Sequence, residues 1–254
     1  MPDVLQGQDL DYALRLGDSA LILGQRLCEW VGHAPALELE MAVSNLALDL
    51  IGEAQLFLEH AAALKGNGSR ADGLAFGRDV LDFRNLLIVE QPNGDWAMTI
   101  ARHFLFSVFH RLQAAALAEG GEESLAGIAT KTGPEIAYHE RFSRDWMLRL
   151  GDGTEESHDR LQAAVDRLWK FTGEMFEVDA LEELLIAEGR AIDARMLEAP
   201  WREAVTSVFA EAGLSVPSVS RMTSGGRRGH HSEHLGHILS ELQFLQRTYP
   251  GLEW

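Results

Sequence analysis

The sequence predicts an all-α fold built on a bundle of long helices. Apolar residues recur at helical spacing over nearly the whole chain, and no alternating, β-branched run bounded by turns stands out. The long periodic segments are separated by short breaks rich in Gly, Pro or Asn. Short connections make successive helices antiparallel neighbours, so four long helices imply a bundle.

The elements follow in order. Leu14, Leu21, Ile22 and Cys28 form one stripe of a first helix over about 11–31, and His33-Ala-Pro35 ends it. A second, long helix spans about 37–65, with Glu38 and Glu40 in its first turn, where the helix dipole favours them. The run 66–69, Gly-Asn-Gly-Ser, breaks the chain. Residues 72–94 read as a short helix and an irregular connector closing on the turn Gln91-Pro-Asn-Gly94. The third long helix covers about 95–118, and Gly120-Gly121 separates it from a fourth over about 122–150. A fifth follows the 151–154 turn and reaches about 177; shorter helices cover about 181–188 and 200–212. A Gly-, Ser- and Arg-rich loop, 213–229, precedes a last helix over about 232–247. With no repeat of about 20–50 residues, the chain reads as one domain over 1–254, its core bundle at about 11–177 and a helical C-terminal extension at about 200–254.

Composition narrows the function. Thirty-nine acidic against 22 basic residues give a formal charge of -17. A field of that sign repels phosphate backbones, so nucleic acid is not the expected partner. The single cysteine, Cys28, rules out an internal disulfide and a cysteine-only metal site, and its apolar setting suits an inert thiol. Residues 1–11 are polar and lack a signal-peptide core; no stretch approaches ~18 uninterrupted apolar residues. These features point to a soluble cytoplasmic protein without a membrane span.

The chemistry-bearing residues suggest a metal scaffold lacking its ligands. In ferritin-like di-iron bundles two helices each supply Glu-x-x-His and two others a Glu. Here Glu135 is followed by Tyr138, and His139 arrives one residue late; on the second helix the counterpart is Asp49 with Gly52 in place of His. Glu29 stands as the first helix's candidate, on a face with Asp18 and Gln25. From Trp96 to Ala118 there is no Asp or Glu, so the third helix offers no bridging carboxylate. Glu155 and His158 do match the ligand spacing, but beside a Gly-Asp-Gly turn they read as a surface pair. The expectation is no metal and no catalytic residue in this chain. Glu135 and His139 are expected to form a buried polar network with an arginine such as Arg102 or Arg26.

Three further features are open at this level. His230, His231, His234 and His237 either form a zinc-like cluster or cap and pack the last helix. Arg221, Arg227 and Arg228 either hold phosphate groups or an acidic partner, or lie in a solvent loop. Asp82-Phe83-Arg84-Asn85 offers a ring, a guanidinium and an amide to a substrate, or else divides between core and a surface ion pair.

Longer runs carry a family resemblance. Leu14-Arg-Leu-Gly-Asp18, Glu29-Trp-Val-Gly-His-Ala-Pro35, Leu86-Leu-Ile-Val-Glu-Gln-Pro-Asn-Gly94, Thr99-Ile-Ala-Arg102 and Tyr138-His-Glu-Arg-Phe-Ser-Arg144 are five of them. Leu168-Trp-Lys-Phe-Thr172 and His231-Ser-Glu-His-Leu-Gly236 are two more. Across nearly its whole length the chain resembles the non-catalytic ferritin-like subunits of bacterial phenylacetyl-CoA 1,2-epoxidases, which are multicomponent di-iron oxygenases. The resemblance implies a ferritin-like fold and no cofactor in this subunit. It implies a related catalytic subunit holding the di-iron centre and the CoA thioester, a small bridging subunit, and a reductase with flavin, an iron–sulfur cluster and NADPH. Contact with phenylacetyl-CoA at the subunit interface would fall to the 82–85 connector. The competing readings are an autonomous oxidase using Glu29, Glu53, Glu135 and His139, and a helical adaptor outside any oxygenase.

Overall fold

The computed structural model describes residues 2–252, with side chains from residue 7 onward. Among the described residues there are ten α-helices, five short 3-10 turns and no strand. The fold is all-α, of the ferritin-like long-helix class. The described residues divide into two compact units, one drawn from Met1–Glu90 and Gly225–Trp254, the other from Gln91–Ser224.

In the first unit α1 (Pro2–Cys28) and α2 (Leu37–Lys65) pack side by side. The helix begins at Pro2 rather than near residue 11, since proline suits a first turn and nothing up to Asp11 breaks a helix. Gly17 and Gly24 allow the close approach. A Cβ on them would lie 3.1 Å from Phe57 Cβ and from Ile51 Cγ1, respectively. Val43, Leu46, Leu50, Phe57 and Leu58 fill the shared face. By length and apolarity α2 is a helix that could cross a membrane, with mean hydropathy 1.3 over its most apolar 18 residues. The run is interrupted by Asp49 and Glu53, which is why an uninterrupted apolar stretch is not seen in the sequence.

After α3 (Ala71–Phe76) a 3-10 turn (Val80–Asp82) leads into the irregular connector. The C-terminal α9 (Glu233–Leu242) and α10 (Phe244–Thr248) belong to this same unit. The last helix divides at Gln243, whose side-chain amide donates to the carbonyls of Ala75 (3.1 Å) and Arg78 (3.0 Å).

The second unit is organised around α4 (Trp96–Gly120), in which every residue from Ala97 to His110 is buried. Asp95 caps it, accepting from the Met98 amide at 2.9 Å. Against it lie α5 (Glu123–Gly151), α6 (Glu155–Leu168) and α8 (Glu198–Glu211); α7 (Ala180–Ala187) is a shorter element of the same unit. The expected fifth helix stops at Leu168 and continues as two 3-10 turns to Phe176. There Trp169, Phe171 and Phe176 all turn inward, which α-helical spacing would not allow. Trp201 packs against Trp169 (ring centroids 5.6 Å apart) and meets Phe176 edge-on (5.3 Å), and its Nε1 donates to the Leu105 carbonyl at 3.0 Å.

Candidate functional site

The buried polar groups of the first unit form two clusters that hold the connector. Asp18, fully buried on α1, accepts a forked pair of hydrogen bonds from the Arg78 guanidinium and a third from the Arg84 amide at 2.8 Å. The Arg78 guanidinium also covers the Phe83 ring at 4.3 Å. Beside this pair, Asp11 accepts from Arg15 (2.7 Å) and Arg84 (3.0 Å).

Glu90 centres the other cluster. Its carboxylate accepts from Asn85 Nδ2 (2.9 Å) and from the Ser232 amide (2.6 Å), and it faces His231 Nδ1 at 2.8 Å. His231 Nε2 lies 3.0 Å from the Phe83 carbonyl, which only accepts, so Nε2 donates. Both ring nitrogens are thus engaged, and the Glu90–His231 contact ties the residues ahead of α9 to the connector. Arg26 closes the cluster from α1, donating to the Glu90 carbonyl at 2.8 and 3.1 Å.

The glycines of the 225–229 loop follow from this docking. A Cβ on Gly226 would fall 2.3 Å from the Asn85 carbonyl oxygen, and one on Gly229 (φ +80°) 2.4 Å from that of Leu81. Loop and connector, two separate features in the sequence, are one structural site.

In the second unit Arg102, fully buried, donates to the Gln91 carbonyl and to Asn93 Oδ1 (2.6 Å). Thr99 Oγ1 donates to the Asn93 carbonyl at 3.0 Å, so the Gln91–Gly94 turn is stapled to α4. One residue on, His103 packs against His139, ring centroids 5.2 Å apart. Neither ring nitrogen of His103 has a hydrogen-bond partner among the described residues. Burial, then the neighbouring His139, Arg102 and His110, hold its pKa well below the ordinary imidazole value. The folded protein therefore keeps His103 neutral, whereas the unfolded chain protonates it near pH 6.5. Its contribution to stability is present above that pH and lost as pH falls below it, by about 1.4 kcal/mol per unit. We expect His103→Leu to flatten this acid-side slope in urea unfolding between about pH 7 and pH 5; an unchanged slope would show that another group sets it.

The positions singled out as former ligands fall in both units, and each is described within its own. Glu29 is half-buried and paired with Arg26 at 2.8 Å; Asp49 is half-buried; Gly52 is exposed. Glu135 is exposed and Tyr138 is 39% exposed, with Arg141 over its ring at 5.3 Å; His139 alone of the six is buried. The expectation that both Glu135 and His139 are buried is therefore corrected: the helix leaves Glu135 exposed, while buried His139 packs against His103. The buried carboxylate of α2 is Glu53.

Among the described residues no three His, Cys, Asp or Glu side chains are grouped to hold a metal. A di-iron centre does not fit this donor set, since α4 offers Arg102 and His103 at its buried positions and no carboxylate there.

The other candidates are placed as follows. Asp82 is exposed and caps its own turn, accepting from the Asp79 amide at 3.2 Å. Phe83 and Asn85 are fully buried, and Arg84 is half-buried on Asp11. Arg221 and Arg228 are exposed and Arg227 is half-buried. The histidines separate: the His231 side chain is buried, His234 half-buried, and His230 and His237 exposed. The Cys28 thiol is half-buried, and burial followed by Glu29 pushes its pKa up, consistent with an unreactive group.

Sequence reasoning missed Arg78 and Glu90, whose partners Asp18 and His231 are 60 and 141 residues away. Glu90 and His231 did lie in two of the runs noted above, but nothing in a single sequence pairs them.

Fold and buried positions together define a ferritin-like helical protein whose α4 buries arginine and histidine and no carboxylate. The chain belongs to the phenylacetic acid catabolic protein family, whose sequence model matches residues 1–254. It is 48% identical over 243 residues to one of the subunits, designated C, of the 1,2-phenylacetyl-CoA epoxidase of Escherichia coli (strain K12), covering 96% of this chain and 98% of that protein.

Proposed function

We propose that the chain is the structural, non-catalytic subunit of a phenylacetyl-CoA 1,2-epoxidase in aerobic phenylacetate degradation. Its partner is a related ferritin-like subunit holding the di-iron centre; a small bridging subunit and a flavin and iron–sulfur reductase using NADPH complete the assembly. The complex adds one oxygen atom of O₂ to the aromatic ring, forming the 1,2-epoxide. The observation that carries this reading is 48% identity to a subunit of such an epoxidase over almost the full length of both chains. The donor set supports the non-catalytic part, because α4 brings no carboxylate to its buried face.

In this reading the chain is one cytoplasmic ferritin-like domain over 1–254 without a redox metal. The connector at 82–85 serves first to hold the fold. Arg84 and the exposed Arg221 and Arg228 are the cations that would meet a phosphate of the CoA ester or a partner's carboxylates.

Reconstitution tests the proposal. The catalytic subunit and reductase are assayed for NADPH-dependent epoxidation with and without this chain, and with this chain alone in place of the catalytic subunit. Turnover needs both subunits if the proposal holds. Full turnover without this chain, or turnover by it alone, would refute it.

A further inference from the structure

Gly52 is a residue that packing within the chain does not explain. It lies in the middle of α2, where glycine weakens a helix relative to alanine. Gly17 and Gly24 are needed because α2 crowds them, but a Cβ on Gly52 would meet nothing within 4 Å. A close approach from outside the chain would account for it.

The neighbours of Gly52 point the same way. Met41, Asn45, Leu48, Gly52 and Gln55 are the exposed residues of α2's central turns, spaced alternately by four and three. They make a straight strip about 21 Å long at 1.5 Å per residue. None of the five is charged, and Met41 and Leu48 are 61% and 64% exposed. Only 44% of α2's most apolar window is buried, although a helix this apolar is ordinarily covered on most sides. Charges flank the strip: Glu38 before it, Glu59 after it, and half-buried Asp49 at its edge. An uncharged centre within a charged rim is the anatomy of a protein interface.

We propose that this strip is the docking surface for a long helix of the catalytic ferritin-like subunit, an inference that rests on the function proposed above. The four-and-three spacing is the seam along which two long helices cross at about 20°. Gly52 is the hole in that seam, receiving a large apolar side chain from the partner. A second copy of this chain is disfavoured as the occupant, since each copy carries a charge of -17.

The test uses the full chain and the catalytic subunit, with affinity measured for wild type, Gly52→Leu and Leu48→Asp. Each variant is expected to weaken binding about thirtyfold or more, the range of a central interface residue. The melting temperature of Gly52→Leu should hold or rise, because its side chain enters open space and a helical glycine is removed. Wild-type affinity in both variants would overturn the docking surface while leaving the proposed function standing. Failure of wild type itself to bind would instead refute the proposed function. A self-dimer lost in Leu48→Asp would make a second copy the occupant and overturn the inference. So would a fall in melting temperature for Gly52→Leu, since the chain would then need the glycine for itself.

Discussion

Arg78→Leu should destabilise the protein by about 3–5 kcal/mol, the usual consequence of removing one partner from a buried ion pair. Asp18 is fully buried, and two of its three hydrogen bonds come from the Arg78 guanidinium. Without them a carboxylate stays in low dielectric with a single backbone amide. The same guanidinium covers Phe83 and donates to the Asp82 carbonyl at 3.1 Å, so the start of the connector loosens as well. Denaturant unfolding of Arg78→Leu, Asp18→Asn and the double variant measures the coupling. The double variant should recover part of the single-variant loss, because no uncompensated charge remains. Strictly additive losses would show that the two residues do not act as a pair.

His231→Leu should have the next largest effect, about 2–3 kcal/mol, because it takes a partner from two buried groups at once. Glu90 keeps Asn85 and the Ser232 amide but loses the imidazole, and the Phe83 carbonyl loses its donor. His231 stands just ahead of α9, so the loss should be local as well as global. Amide hydrogen exchange in α9 is expected to accelerate more than exchange in α2, as the C-terminal helices open separately. Equal acceleration in both would mean that the segment is held by its apolar contacts, with the Glu90–His231 contact contributing little.

Much of the helical architecture was legible in the sequence. The bounds of α2 agree with Pro35 and Gly66 as punctuation, and the α4–α5 break falls at Gly120-Gly121. Local signals suffice there because caps and breakers act within a turn or two. They fail where long-range contacts decide. The 3-10 turns after Leu168 exist to bury Trp169, Phe171 and Phe176, and the break at Gln243 depends on carbonyls 168 and 165 residues away.

The candidate site was legible in part. The lack of a carboxylate from Trp96 to Ala118 is a matter of composition and needs no structure. Which way Glu135 and Gly52 point is a matter of helix phase, and one residue turns a side chain by about 100°. His231 shows the same limit: four histidines within two turns read as one cluster, yet packing selects a single ring for the interior.

Iron analysis of the purified chain, expressed alone with excess iron, tests the central claim most directly: the buried polar groups hold the fold and no metal. The account predicts far less than one iron per chain, no oxo-bridged di-iron absorption, and an unfolding curve indifferent to iron. Close to two irons per chain with that absorption would contradict it.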